Sequence, residues 1–162
     1  MDDIDWKILE LLGDDARIPV EDMATMLELG GKEISDRVKK LKKRKIIRGF
    51  KTSVNWKKAG KRMASAIIQV KVTPQERSGF SAICKEISKD HRVKDVLVVT
   101  GEYDLIVFVE GGDMEDLSNF VTEKLAPKRD VTGTYTHMVL EEYKRDGVEC
   151  FDEENKRLKV SL

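Results

Sequence analysis

Three stripes of apolar residues at helical spacing open the chain. Ile4, Ile8, Leu11 and Leu12 form the first, which Gly13 and the polar pair Asp14-Asp15 are expected to end. Pro19, suited to a first helical turn, opens the second, made of Val20, Met23, Ala24 and Leu27. After Gly30-Gly31 comes the third, Ile34, Val38 and Leu41. No such helix hides its stripe alone, so the three are predicted to pack as a trihelical unit whose last two helices form a helix-turn-helix. Beyond it, Ile46 to Trp56 is rich in β-branched and aromatic residues around Gly49, and reads as a short strand or wing.

From Met63 the period changes to two. Ala64, Ala66, Ile68, Val70 and Val72 share one face of a strand, with Ser65, Gln69 and Lys71 on the other, and Pro74 ends it. Phe80, Ile83, Cys84 and Ile87 then mark a helix in which Cys84 packs in the core. Val93 to Val99 and Tyr103 to Glu110 read as strands about a Gly101-Glu102 turn. Asp113 can cap a helix carrying Leu117, Phe120, Val121 and Leu125, and Val131 to Tyr143 reads as the last strand. The expected class is therefore α+β, a winged helix-turn-helix followed by a ferredoxin-like βαββαβ domain. The divisions are residues 1–49 for the helices, 50–62 for a wing or linker strand, 63–144 for the second domain and 145–162 for a tail. In that tail the alternating Leu158, Val160 and Leu162 would suit one more strand or a frayed end.

In a ferredoxin-like unit both helices cover one face of the sheet, so a monomer should present polar residues on the other. The third strand does not: Leu105, Val107 and Val109 point one way, Ile106 and Phe108 the other. A sheet apolar on both faces marks an interface, and a two-fold homodimer packed sheet to sheet is the simplest closed solution.

Charge adds a partner. Of the 162 residues 37% are charged, well above the ~25% of an average domain, yet 40% are apolar, enough for a core. The longest apolar run, Leu105 to Val109, is far short of the roughly 18 residues that span a bilayer, and the acidic start is unlike a signal peptide, so no membrane partner and a cytoplasmic location are expected. Two cysteines and two histidines lack metal-site spacing, and no cofactor is expected. The 30 bases and 30 acids are unevenly spread: residues 1–31 hold nine acids and two bases, whereas residues 32–62 hold fourteen bases and two acids. A block of net +12 attracts phosphate backbones, although a lysine-rich solvated helix face would look the same by charge alone.

That block contains the third helix. At about 100° per residue its apolar stripe lies opposite Lys32, Asp36, Lys39 and Lys43, giving a dry face and a basic wet one. Such a helix can enter a major groove of double-stranded DNA. Ser35 and Lys39 are placed to meet bases, the later lysines Lys40 and Lys43 reach phosphates, and Lys32 belongs to the same DNA-binding set. Asp36 either accepts from a cytosine amino group or pairs with Lys32 or Lys40, and the internal pair is preferred. Arg48 and Lys51 could clamp a further phosphate; Phe50 and Trp56 suit core or hinge packing better than base stacking.

The segment Thr100, Gly101, Glu102, Tyr103, Asp104 admits two readings. A Gly-Glu pair between apolar strands is a hairpin turn in any case. It also offers backbone amides to a carboxylate, with Glu102 or Asp104 to meet an ammonium group, a combination that suits an amino acid. An enzyme fares poorly as an alternative, since the chain has no P-loop, dinucleotide fingerprint or nucleophile elbow. RNA binding lacks an RNP-type aromatic sequence on a strand. A metabolite-sensing module without DNA readout and a constitutive DNA-organising protein remain as rivals.

These residues resemble the Lrp/AsnC transcriptional regulators, or feast/famine regulatory proteins. The likeness runs from Ile4 to Lys144 and rests on Ile4-Asp5-Trp6-Lys7-Ile8-Leu9, Asp14-Asp15-Ala16-Arg17, Arg37-Val38-Lys39-Lys40-Leu41 and Val99-Thr100-Gly101-Glu102-Tyr103-Asp104-Leu105. The resemblance implies a DNA-binding domain, a linker strand and an effector-binding domain that assembles dimers and often rings of four dimers. It also implies an amino-acid site near Gly101 to Asp104, at the contact between dimers, whose second half matches Val131, Thr134 and Thr136 at the start of the last strand. Glu28 and Gly30 stand where the family has a turn glycine and a capping serine, which allows a turn shifted by one residue, and Arg129-Asp130 replaces the family's Pro-Gly.

Overall fold

A computed structural model of the chain describes residues 1–74 and 79–151. It divides into two compact units, Met1–Ser53 and Val54–Leu162.

The first unit is trihelical. Helix α1 (Asp3–Asp14) starts in a reciprocal cap, in which the Asp2 carboxylate accepts from the Asp5 amide at 2.9 Å and the Asp5 carboxylate accepts from the Asp2 amide. It runs through Gly13 rather than ending there, because Gly13 is exposed on an already formed turn and costs only propensity. Helix α2 (Val20–Leu27) begins after Pro19 and α3 (Gly31–Lys43) after Gly30. Between them Glu28 takes the left-handed conformation, φ 54°, so the left-handed residue of the turn is Glu28 itself. Its amide donates to the Thr25 carbonyl and that of Leu29 to Ala24, a closure that usually employs glycine. Ile8, Met23, Ala24, Ile34 and Leu41 form the buried core, with Ile4, Leu12, Leu27 and Val38 against it.

No strand forms between Ile46 and Trp56. A strand exists through its ladder, and among the described residues this segment pairs with no other strand. In the second unit the chain makes instead a single helical turn capped by Asn55, whose side chain accepts from the Lys58 amide at 2.9 Å. The turn closes at Gly60, φ 79°, where Lys61 donates to the Trp56 carbonyl and Gly60 to that of Lys57.

The remainder is the expected βαββαβ unit: β1 (Ala64–Val72), α4 (Ser81–Ile87), β2 (Val93–Val98), β3 (Leu105–Gly111), α5 (Met114–Asn119) and β4 (Val131–Met138). Asp113 caps α5, which runs on as a π-helix over Phe120–Leu125. The four strands are antiparallel in the order β2-β3-β1-β4. On the helix-covered face Ala66, Ile68, Val70, Leu105, Val107 and Val109 are buried against Ile83, Ile87, Leu117, Phe120 and Leu125. Cys84 packs beside them, and burial pushes its thiol pKa up, as befits a packing residue. Arg92 binds this layer together: it pairs with Asp90 at 2.8 Å and Asp116 at 2.9 Å and lies over the Phe120 ring.

The last strand is shorter than expected, and the chain then forms a hairpin, β5 (Lys144–Arg145) and β6 (Val148–Glu149). Asp146 and Gly147 both have positive φ, 50° and 82°, which is the two-residue turn that matches strand twist. Arg145 ties the hairpin to Glu110 of β3 at 2.8 Å. The alternation at Leu158, Val160 and Leu162 lies outside the described residues.

Candidate DNA interface and effector site

The wet face of α3 forms as the wheel predicts. Lys32, Asp36, Lys39, Lys40 and Lys43 are exposed and Ser35 is half-buried, while Ile34 and Leu41 hold the opposite side in the core. A groove beside this face is lined by Lys32, Lys40, Lys43 and Arg44 together with Asp2 and Asp5 of the α1 start. Among the described residues no carboxylate lies within ion-pair distance of Lys32, Lys40 or Lys43, so these three charges face solvent. Asp36 pairs with Lys39 at 3.5 Å rather than with Lys32 or Lys40. The exchange follows from helix geometry, since i+3 and i+4 neighbours are both within reach and the shorter step is the one taken.

One cation of this helix is committed elsewhere. Arg37 donates to Asp2 at 2.8 Å and to Asp5 at 3.0 Å on α1, and to Glu33 one turn back on α3. Its hydrogen bond is the main reason the Asp2 carboxyl is held below the usual carboxylate range, the Asp5 amide adding to it. Arg37 therefore fixes α3 against the start of α1. Sequence spacing does not reveal this clamp, although Asp5 and the Arg37-Val38 segment are both part of the family likeness.

After α3, Arg48 and Lys51 sit on exposed chain, and so do Phe50 and Trp56, against the expectation that these rings pack. Each ring is half-exposed and carries a cation, Lys42 over Phe50 and Lys61 over Trp56, both at 5.3 Å. Without a strand ladder there is no second layer to bury them.

On the second unit the turn between β2 and β3 borders a shallow site lined by Gln69, Val98, Val99, Thr100, Gly101, Glu102, Tyr103 and Ile106. Gly101 adopts φ 137°, a conformation that side chains rarely take. Asp104 is engaged with β1: its carboxylate accepts from the Val72 amide at 3.0 Å and lies 3.9 Å from Lys71 Nζ, and its own amide donates to Val70. It ties the turn to β1. Lys71 Nζ also donates to the Glu102 carbonyl, leaving the exposed Glu102 carboxylate as the turn's outward acid.

Within one chain Thr134 and Thr136 are not brought to this site. Their register partners are Val70 and Ile68, and Val131 pairs with Val72, so all three belong to the helix-covered face. The alternate residues Gly133, Tyr135 and His137 share the face of Gln69 and Ile67. A single step of register moves a side chain through the sheet, which is why a likeness accurate to one residue cannot assign a face.

Comparison with known proteins supplies the identity. A family profile described as the Lrp/AsnC ligand binding domain matches residues 65–149, and one described as the AsnC-type helix-turn-helix domain matches residues 1–42. The chain belongs to the Lrp/AsnC family. The HTH-type transcriptional regulator YugG of Bacillus subtilis is 35% identical over 158 residues, 96% of this chain and 95% of that protein. Among solved structures, MtbAldR superposes with a TM-score of 0.78 at 29% identity over 90% of this chain and 97% of that one. A transcriptional regulator from Neisseria meningitidis, solved as a complex with L-methionine, gives 0.71 at 23% identity over 90% of this chain and 93% of that one, a likeness of fold. This Lrp/AsnC member is a DNA-binding transcriptional regulator with a ligand-binding domain, and not an enzyme. Among its described residues no helix is long and apolar enough to cross a membrane.

Proposed function

We propose that this regulator reads double-stranded DNA with α3, using Ser35 and Lys39 at base edges and Lys32, Lys40 and Lys43 at phosphates, with Arg48 and Lys51 extending the backbone contact. The observation that carries the reading is the outward charge of α3: three lysines without an acidic partner among the described residues, on a helix whose other face is locked into a core and clamped by Arg37. Asp36, held by Lys39, tunes rather than directs the contact.

The effector site is the turn Thr100 to Tyr103 with Gln69 and Ile106, and its ligand is an amino acid or a closely related metabolite. A carboxylate meets the turn amides, Glu102 meets the ammonium group, and Ile106 meets the side chain. The Neisseria protein's L-methionine complex supports that ligand class. The open sheet face carries Ile67, Ile106, Phe108, Leu97 and Tyr135, and supports a homodimer packed sheet to sheet, which rings of four dimers would extend. The division of labour runs from residues 1–49 through a connector, 50–62, to an effector and assembly domain, 63–144. A regulator with these partners works in the cytoplasm. Selection of bound fragments from random DNA, repeated with and without a pool of amino acids, tests the whole reading: a selected site whose affinity the pool shifts is expected, and no enrichment of any DNA would overturn it.

A further inference from the structure

Between the reading domain and the sheet, residues 48–62 carry six cations and no acid, and every residue of the stretch is exposed. A random basic tail would be flexible, but this one contains a defined fold. The Asn55 cap and the Gly60 closure hold one helical turn, and Lys61 lies over the Trp56 ring, so Lys57 and Lys61 are carried on a closed knuckle with the exposed Arg62 directly after it. Cations held in place lose less freedom on binding than free lysines do. An exposed tryptophan capped by a lysine offers an apolar edge beside them.

We propose that this knuckle is a second phosphate-binding element for duplex DNA, separate from the recognition helix and reading no sequence. The proposal rests on the DNA-binding function already assigned to the helix-turn-helix. Reach supports DNA over another polyanion. Lys57 lies fourteen residues after Lys43, which tethers the knuckle within about 50 Å of the recognition helix. A bound duplex of roughly fifteen base pairs covers that distance, and it offers a negative charge every ~1.7 Å of axis. The function is to lengthen the phosphate footprint and to hold the protein on DNA of any sequence near its site.

The test compares the full-length protein with two variants, one carrying Lys57→Ala, Lys61→Ala and Arg62→Ala, the other the charge-keeping Lys57→Arg, Lys61→Arg and Arg62→Lys. Fluorescence anisotropy on a selected duplex and on a scrambled duplex is read at several salt concentrations. For the alanine variant the salt slope should fall by up to about 2.7 on both duplexes, at roughly 0.9 per phosphate. The affinity deficit should then be roughly 40-fold larger at 50 mM than at 200 mM salt, with the preference for the selected site unchanged. The charge-keeping variant should behave as the parent. Unchanged slopes in the alanine variant overturn the proposal while leaving the helix-turn-helix reading intact. An equal fall in both variants makes the effect structural and also overturns it. Absence of DNA binding by the parent removes both readings together.

Discussion

Replacing Lys40 and Lys43 together with alanine separates a DNA-facing helix from a merely solvated one. Both side chains are exposed, both line the groove beside α3, and neither has an acidic partner among the described residues, so their removal should leave the core of Ile34 and Leu41 untouched. Every phosphate that a lysine neutralises adds roughly 0.9 to the slope of log affinity against log salt, so the double variant should fall short of the parent by about 1.8. Between 50 and 200 mM that difference makes the deficit of the variant roughly 12-fold larger at the low-salt end. Lys39→Ala should change the slope by less than either lysine of the pair, because Asp36 at 3.5 Å already offsets its charge. Asp36→Asn should therefore strengthen binding, by removing an anion from the face and releasing Lys39. The assay is anisotropy on a selected duplex at four salt concentrations, with circular dichroism to confirm that helix content is retained. A folded double variant whose slope matches the parent would refute the placement of α3 on DNA.

Four further outcomes follow from single contacts. Glu28→Gly should stabilise the helical unit by about 1 kcal/mol in thermal or urea unfolding, because the parent holds a side chain at φ 54° where glycine has none to crowd. Gly111→Ala should destabilise the second unit by about 1 to 3 kcal/mol: a Cβ there would stand 2.5 Å from the Asp116 carboxylate, which Arg92 and the Gly112 amide hold in place, and an unchanged melting temperature would count against this packing. Phe108→Asp should give monomers in analytical ultracentrifugation if the open sheet face is the dimer interface, since an unpaired charge in a dry interface costs several kcal/mol, and an unaltered oligomer would move the interface elsewhere. The Asp90 carboxyl is held down to about 2 by its hydrogen bond from Arg92, against an ordinary value of 3.8; its contribution to stability is present above the ordinary value and is lost as pH falls towards 2, so Asp90→Asn should flatten that part of an acid-unfolding profile.

Most of the fold is legible because it rests on periodicity, and periodicity reports burial directly. The stripe of Ile34 and Leu41, the alternation from Ala64 to Val72 and the two-faced strand of Leu105 to Val109 all come out on the faces that their spacing implies. Legibility fails where the deciding fact is a partner distant in sequence. Ile46 to Trp56 has the composition of a strand, but composition cannot supply a neighbouring edge, and the chain there closes on itself at Gly60 instead. Asp104 has the look of a ligand group because it is an acid in a turn, and spacing gives no sign that its carboxylate also meets the Val72 amide, 32 residues away, a buried donor that is costly to leave without an acceptor. Arg37 counts towards the basic block and contributes nothing to its outward field, since Asp2, Asp5 and Glu33 surround it. The net charge of a segment therefore overstates the charge that DNA would meet. After that subtraction the outward charge still includes Lys32, Lys40 and Lys43 of α3 and Lys57, Lys61 and Arg62 at the knuckle, exposed cations with no core to cover, and a polyphosphate partner is the one that would use them.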